Sequence, residues 1–113
     1  MNKLRLVVNN KLNQKENFFV KKELQTILNL YAQKVSCGDW KDYGLSINKK
    51  EISFDIYHRT SEVPIFKISK NLNPKNKIEK FYVLDKNSNV IKQSENLENL
   101  INKTKWEKLR LVK

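Results

Sequence analysis

Residues 51–57, Glu51-Ile52-Ser53-Phe54-Asp55-Ile56-Tyr57, alternate Ile52, Phe54 and Ile56 against Ser53, Asp55 and Tyr57. Side chains of an extended chain point to opposite faces in turn, so this run predicts a half-buried strand. Immediately before it, Asn48-Lys49-Lys50 supplies a tight turn, and residues 45–48 pair with residues 51–59 as a hairpin. Further upstream the period changes from two to nearly four. Leu24, Ile27, Leu28, Tyr31, Ala32 and Val35 follow the i, i+3, i+4, i+7 spacing of one helix face, predicting an amphipathic helix over residues 21–37. Gly38 stands where a left-handed terminating residue is wanted.

Downstream of the strand, Thr60-Ser61-Glu62 leads to a third strand over residues 63–69. Pro64 lacks a backbone donor and belongs at that strand's start or on an edge. Residues 71–77 are a loop by composition, and Lys80-Phe81-Tyr82-Val83-Leu84 resumes β character. The turn-rich Asp85-Lys86-Asn87-Ser88-Asn89 leads into Val90-Ile91 as a second hairpin. Ser94 is placed to cap a short helix whose inward residues are Leu97, Leu100 and Ile101. The expected fold is α+β: an N-terminal amphipathic helix, an antiparallel sheet of four to five strands and a short C-terminal helix. Residues 1–17 read as a short strand and polar connector, and residues 18–113 as one domain. Lys3-Leu4-Arg5-Leu6-Val7 recurs as Lys108-Leu109-Arg110-Leu111-Val112. The repeat is either common strand stock or a pair of terminal edge strands through which a homodimer forms.

The formal charge is +11 over 113 residues, which points to an acidic partner such as nucleic acid. Of the 23 basic residues, however, only Arg5, Arg59 and Arg110 are not Lys, and Asn is abundant. Codons rich in A and T produce the same skew, so the charge reads as either compositional or functional. Cys37 is the only cysteine, which excludes an internal disulfide and a thiolate zinc cluster and suits a reducing compartment. No stretch is long and apolar enough for a membrane span, and the expected location is the cytoplasm.

Catalytic chemistry finds little support. A Cys/His pair can use only Cys37 and His58, and a thiolate at a helix C-terminus is disfavoured by the helix dipole. His58 with Asp55, or Asp39 with Asp42, falls short of the three or four converging ligands that a metal needs. Gly38 and Gly44 are the only glycines, so no glycine-rich phosphate loop is available and no cofactor is expected. The helix-sheet-helix order parallels double-stranded-RNA-binding domains, but Glu95 at the start of the last helix would repel phosphate, and five strands exceed the three of that fold.

Two loops hold the densest polar and aromatic information: residues 38–43 with Trp40, Asp42 and Tyr43, and residues 59–64 with Arg59, Ser61 and Glu62. They read either as a recognition patch, or as Trp40 and Tyr43 closing the end of the core while Arg59 and Glu62 fix a turn.

The same residues carry a resemblance. Phe19, Lys22-Glu23-Leu24, Ile27-Leu28-Asn29-Leu30-Tyr31, Gly38-Asp39-Trp40, Asp42-Tyr43, Arg59, Ser61-Glu62, Pro64 and Ile68 resemble the alphaproteobacterial family called domain of unknown function 2794, over residues 19–111. Val20 stands where that family tends to have a helix-capping acid, His58 where it has a second Arg, and Cys37 where it has Ala. The resemblance therefore leaves the lone Cys and the lone His outside the family pattern, and it implies no activity. The chain reads as a non-enzymatic binding or adaptor domain for a protein partner. The alternative is a basic protein associated with nucleic acid or ribosomes.

Overall fold

A computed structural model of the chain describes residues 18–58 and 63–106. The expected terminal strands, the polar connector, and Arg59, Thr60, Ser61 and Glu62 lie outside the described residues.

Lys21–Ser36 form helix α1, one residue shorter than expected. Val20 is the N-cap, and its apolar side chain has no acceptor to offer the first turn. Glu23 acts from inside the helix instead, its Oε1 accepting the Val20 N–H at 2.8 Å. At the far end Gly38 takes φ +83°, the left-handed stop expected of it. The buried face is rotated from the expected stripe. Ile27, Leu30 and Lys34 are buried, while Ala32 and Val35 are exposed. Lys34 explains the rotation, because its carbonyl accepts the amides of Asp39 at 2.9 Å and Trp40 at 3.2 Å. The chain thus folds back over that side of the helix end and buries Lys34.

Five strands follow: β1 (Asp42–Ile47), β2 (Glu51–Tyr57), β3 (Phe66–Asn71), β4 (Phe81–Asp85) and β5 (Val90–Ser94), each antiparallel to the next, in the order β1-β2-β3-β4-β5. β1 begins at Asp42, three residues earlier than expected, so Asp42 and Tyr43 belong to a strand and not to a loop. β3 begins at Phe66, with Pro64 before it. Opposed residues share a face, and the register puts Tyr43, Ile56, Phe66 and Asp85 in one row and Leu45, Phe54, Ile68 and Val83 in the next. Those rows face the helices, and Ile52, Phe54, Ile56, Ile68 and Val83 have no exposed surface. The opposite face carries Ser46, Glu51, Ser53, Asp55, Lys67, Ser69 and Tyr82. Ser53 and Asp55 are buried as well, so β2 is covered on both faces and is not the half-buried strand its alternation predicts.

Leu97–Lys103 form helix α2, with Leu97, Leu100 and Ile101 buried as expected. Its cap is Asn96, whose Oδ1 accepts the Asn99 N–H at 2.9 Å; Ser94 ends β5 and accepts the Asn96 N–H at 3.1 Å. The N-cap therefore lies two residues beyond the expected one, because β5 extends through Ser94. α1 and α2 lie on the same face of the sheet, which fixes the order as helix, five-stranded antiparallel sheet, helix. No helix among the described residues is long and apolar enough to cross a membrane.

Candidate functional site

The turn from α1 into β1 is held at several points. Gly38 N–H reaches the Val35 carbonyl at 3.0 Å, His58 Nδ1 lies 2.7 Å from the Asp39 carbonyl, and Lys41 N–H donates to the Tyr57 carbonyl at 2.8 Å. Trp40 is thereby driven inward. Its indole meets Trp106 at 5.5 Å and Phe66 at 6.3 Å, and only 3% of it is exposed. Trp40 therefore closes the end of the core, the second of the two readings the sequence left open for it, and offers little surface to a patch. Trp106, a partner the local sequence does not announce, donates its Nε1–H to the Ile101 carbonyl at 3.1 Å.

Tyr43 is different. Its ring stacks on Phe54 at 4.7 Å with an interplanar angle of 5° and meets Tyr31 edge-on at 5.0 Å, yet 44% of the residue stays exposed. Burial raises the Tyr31 hydroxyl above its ordinary range, aided by the negative charge of Asp42 and then by Tyr43. Leu45 and Ile47 continue the row from Tyr43, exposed to 45% and 61%. Asp42 is exposed, and one of its carboxylate oxygens accepts the Tyr43 N–H at 2.8 Å. Arg59, Ser61 and Glu62, the other half of the expected patch, lie outside the described residues.

Among the described residues β1 is an outermost strand. Asn48 faces Glu51 and donates its N–H to the Glu51 carbonyl at 3.0 Å, and hydrogen-bonding pairs alternate along an antiparallel ladder. The N–H and C=O groups of Ile47, Leu45 and Tyr43 consequently point away from β2, along the outer edge of the described sheet. Natural edges are blunted by Lys, Pro, bulges or short length. β5, the other edge, has a register shift beside Val83 and Leu84 and carries Lys92. β1 has neither device between Asp42 and Ile47. Leu28, Tyr31 and Val35 recur at helical spacing on the side of α1 that Tyr31 brings against Tyr43, so the apolar edge continues onto the helix.

The polar sheet face is organised by carboxylate–hydroxyl hydrogen bonds. Asp55 accepts both the Ser46 and Ser53 hydroxyls at 2.6 Å, and Glu51 accepts the Tyr82 hydroxyl. Burial first, and then the Glu51 hydrogen bond and charge, push Tyr82 well above the usual tyrosine range. A serine needs a base that can take its proton and hand it on. His58, the chain's single imidazole, is engaged at Asp39 instead. Cys37 Sγ donates to the Gln33 carbonyl at 3.1 Å, so the lone Cys and the lone His have separate backbone partners. Among the described residues no three His, Cys, Asp or Glu side chains converge. A shallow hollow of about 320 Å³ lies between β5 and α2, where Lys92 and Lys103 are offset by Glu95.

The described residues define a five-stranded antiparallel meander with two α-helices, whose most distinctive surface is a strand edge. Residues 17–101 match the family described as protein of unknown function (DUF2794), and the chain belongs to that family. No curated protein and no solved structure matches the chain.

Proposed function

We propose that this domain is a non-enzymatic binding module that takes up an extended polypeptide segment on the free edge of β1. The observation that carries this reading is the coincidence of outward backbone groups with an exposed apolar row, Tyr43, Leu45 and Ile47, on an outer strand of the described sheet whose edge is restrained by the Asp42 carboxylate on the Tyr43 N–H. Strand addition works in this way: main-chain bonds supply affinity and alternate side chains supply selectivity. Tyr43, clamped between Phe54 and Tyr31, offers a rigid aromatic anchor that loses little freedom on contact. Asp42 and Tyr43 thus remain in the site, Leu45 and Ile47 join it, and Trp40 supports it from beneath. A reducing, cytoplasmic setting suits the single exposed thiol of Cys37.

The test is capture from the native cell with the full chain, comparing wild type with a Leu45→Lys/Ile47→Lys double variant. Because both side chains are solvent-facing, the variant should melt within a few degrees of wild type and lose the captured polypeptide. Retention of the same polypeptide would overturn the reading. So would capture of RNA or DNA that is lost with added salt but indifferent to the double variant.

A further inference from the structure

The two ends of β1 differ in charge. At its start Lys41 and Asp42 are adjacent and offset each other. Just past its end, Lys49 and Lys50 occupy the turn into β2. The Leu72 N–H donates to the Lys50 carbonyl at 2.9 Å, and the Asn71 N–H donates to the Lys80 carbonyl at 2.8 Å. These bonds set the connection between β3 and β4 beside that turn, so Lys75, Lys77 and Lys80 join Lys49 and Lys50 at one end of the sheet. All five are exposed, and among the described residues none of them forms an ion pair. The acids of these turns are Glu51 and Glu79, and Glu51 is engaged by the Tyr82 hydroxyl. Asn48 Oδ1 accepts the N–H groups of Lys50 at 2.8 Å and Glu51 at 2.9 Å, and Asn71 Oδ1 accepts that of Asn73 at 3.0 Å. What each amide keeps for a ligand is its NH2 donor.

We propose that the polypeptide taken up by β1 is acidic at one end: an extended segment whose alternate apolar residues lie along Tyr43, Leu45 and Ile47, and whose Asp or Glu run continues past Ile47 onto Lys49, Lys50 and the lysines beyond. The inference rests on the strand-docking reading above and names the chemistry of the partner. Adjacent strands are about 4.8 Å apart, so the chain leaving β3 starts about 10 Å from β1, within reach of three or four extended residues. At the other end the Asp42 carboxylate repels an acid, which fixes the end at which the run belongs. The formal charge of +11 draws an acidic segment in and opposes a second copy of this chain. A phosphate chain would use the ammoniums but neither the apolar row nor the outward backbone groups, whereas an acidic polypeptide uses all three.

Fluorescence anisotropy on the full chain tests this with labelled synthetic peptides: an alternating Thr/Val parent, and the same peptide with a run of Glu, or of Lys, at its N- or its C-terminus. One Glu peptide, the N-terminal form for antiparallel docking or the C-terminal form for parallel, should bind about ten-fold tighter than the parent at low salt, and the gain should shrink as salt rises. Lys49→Glu/Lys50→Glu should abolish that gain and leave the affinity for the parent within two-fold, which a folding defect would not do. Leu45→Lys should weaken every peptide. Equal binding of parent and Glu peptides overturns the inference and leaves strand docking standing. A Glu peptide indifferent to Leu45→Lys also overturns it, because the lysines would then take an acid without β1. So does a single-stranded RNA oligonucleotide that outcompetes the Glu peptide and is itself indifferent to Leu45→Lys. If neither the parent nor any charged peptide binds, the strand-docking reading falls and the inference falls with it.

Discussion

Lys70 Nζ lies 2.9 Å from Glu23 Oε1 and 3.1 Å from the Phe18 carbonyl, so one ammonium on β3 secures the start of α1. The two side chains are 9% and 16% exposed. Glu23 is meanwhile the acceptor for the Val20 N–H, and the single carboxylate both caps the helix and ties it to the sheet. Removing Lys70 leaves this carboxylate largely buried without its counter-charge. We expect Lys70→Ala to cost about 2–4 kcal/mol of stability in urea denaturation. A Lys70→Ala/Glu23→Ala double variant should be less destabilised than the sum of the singles. Strict additivity would show that the two residues act independently.

Tyr82 gives an alkaline signature. Its hydroxyl is held above the usual value of 10.0 by burial and by donating to Glu51. A folded-state value above the unfolded one means that the native state keeps the proton longer. The stabilisation is therefore complete below about pH 10 and is lost as pH climbs from there toward the raised native value. Urea midpoints measured between pH 9 and pH 11.5 should fall more steeply for wild type than for Tyr82→Phe, which has no proton to lose. Equal slopes would count against the assignment.

Gly38 is a case in which backbone geometry alone sets the cost. At φ +83° a β-carbon is strained, yet no atom lies within 4 Å of where it would sit. Gly38→Ala should lower stability by about 1 kcal/mol, and Gly38→Asn by less, because Asn tolerates the left-handed region. Thermal melts of the two variants decide the order.

Features set by short-range periodicity are legible in the sequence. The α1 boundaries, the Gly38 stop, the inward Leu97, Leu100 and Ile101, and the apolar side of β2 all follow from spacing within a few residues. What was missed depends on distant partners. Lys34 outcompetes Val35 for the interior only because residues 39 and 40 fold back on its carbonyl. For Trp40, core and patch were both open in the sequence, and the choice is made by Trp106, 66 positions away. Likewise, Tyr43, Leu45 and Ile47 show a strand's alternation, but nothing local says that β1 ends the sheet and leaves that row uncovered. Strand order, which decides whether an apolar row is core or surface, is a property of the whole chain.

The Asp42 carboxylate is the one device restraining the β1 edge. By accepting the Tyr43 N–H at 2.8 Å it occupies an outward donor that a docking strand would need, and its charge discourages close approach of a second backbone. Replacing it frees the donor and removes the charge, at the expense of one exposed local hydrogen bond, a loss of about 0.5–1 kcal/mol to the isolated chain. Asp42→Ala should consequently melt slightly lower in dilute solution but retain more of the docked polypeptide in the capture experiment. The increase should vanish when Leu45→Lys is added. Asp42→Asn, which keeps an acceptor but loses the charge, should fall between wild type and Asp42→Ala. If Asp42→Ala weakened association instead, the carboxylate would be a contact in the pairing and not a restraint upon it.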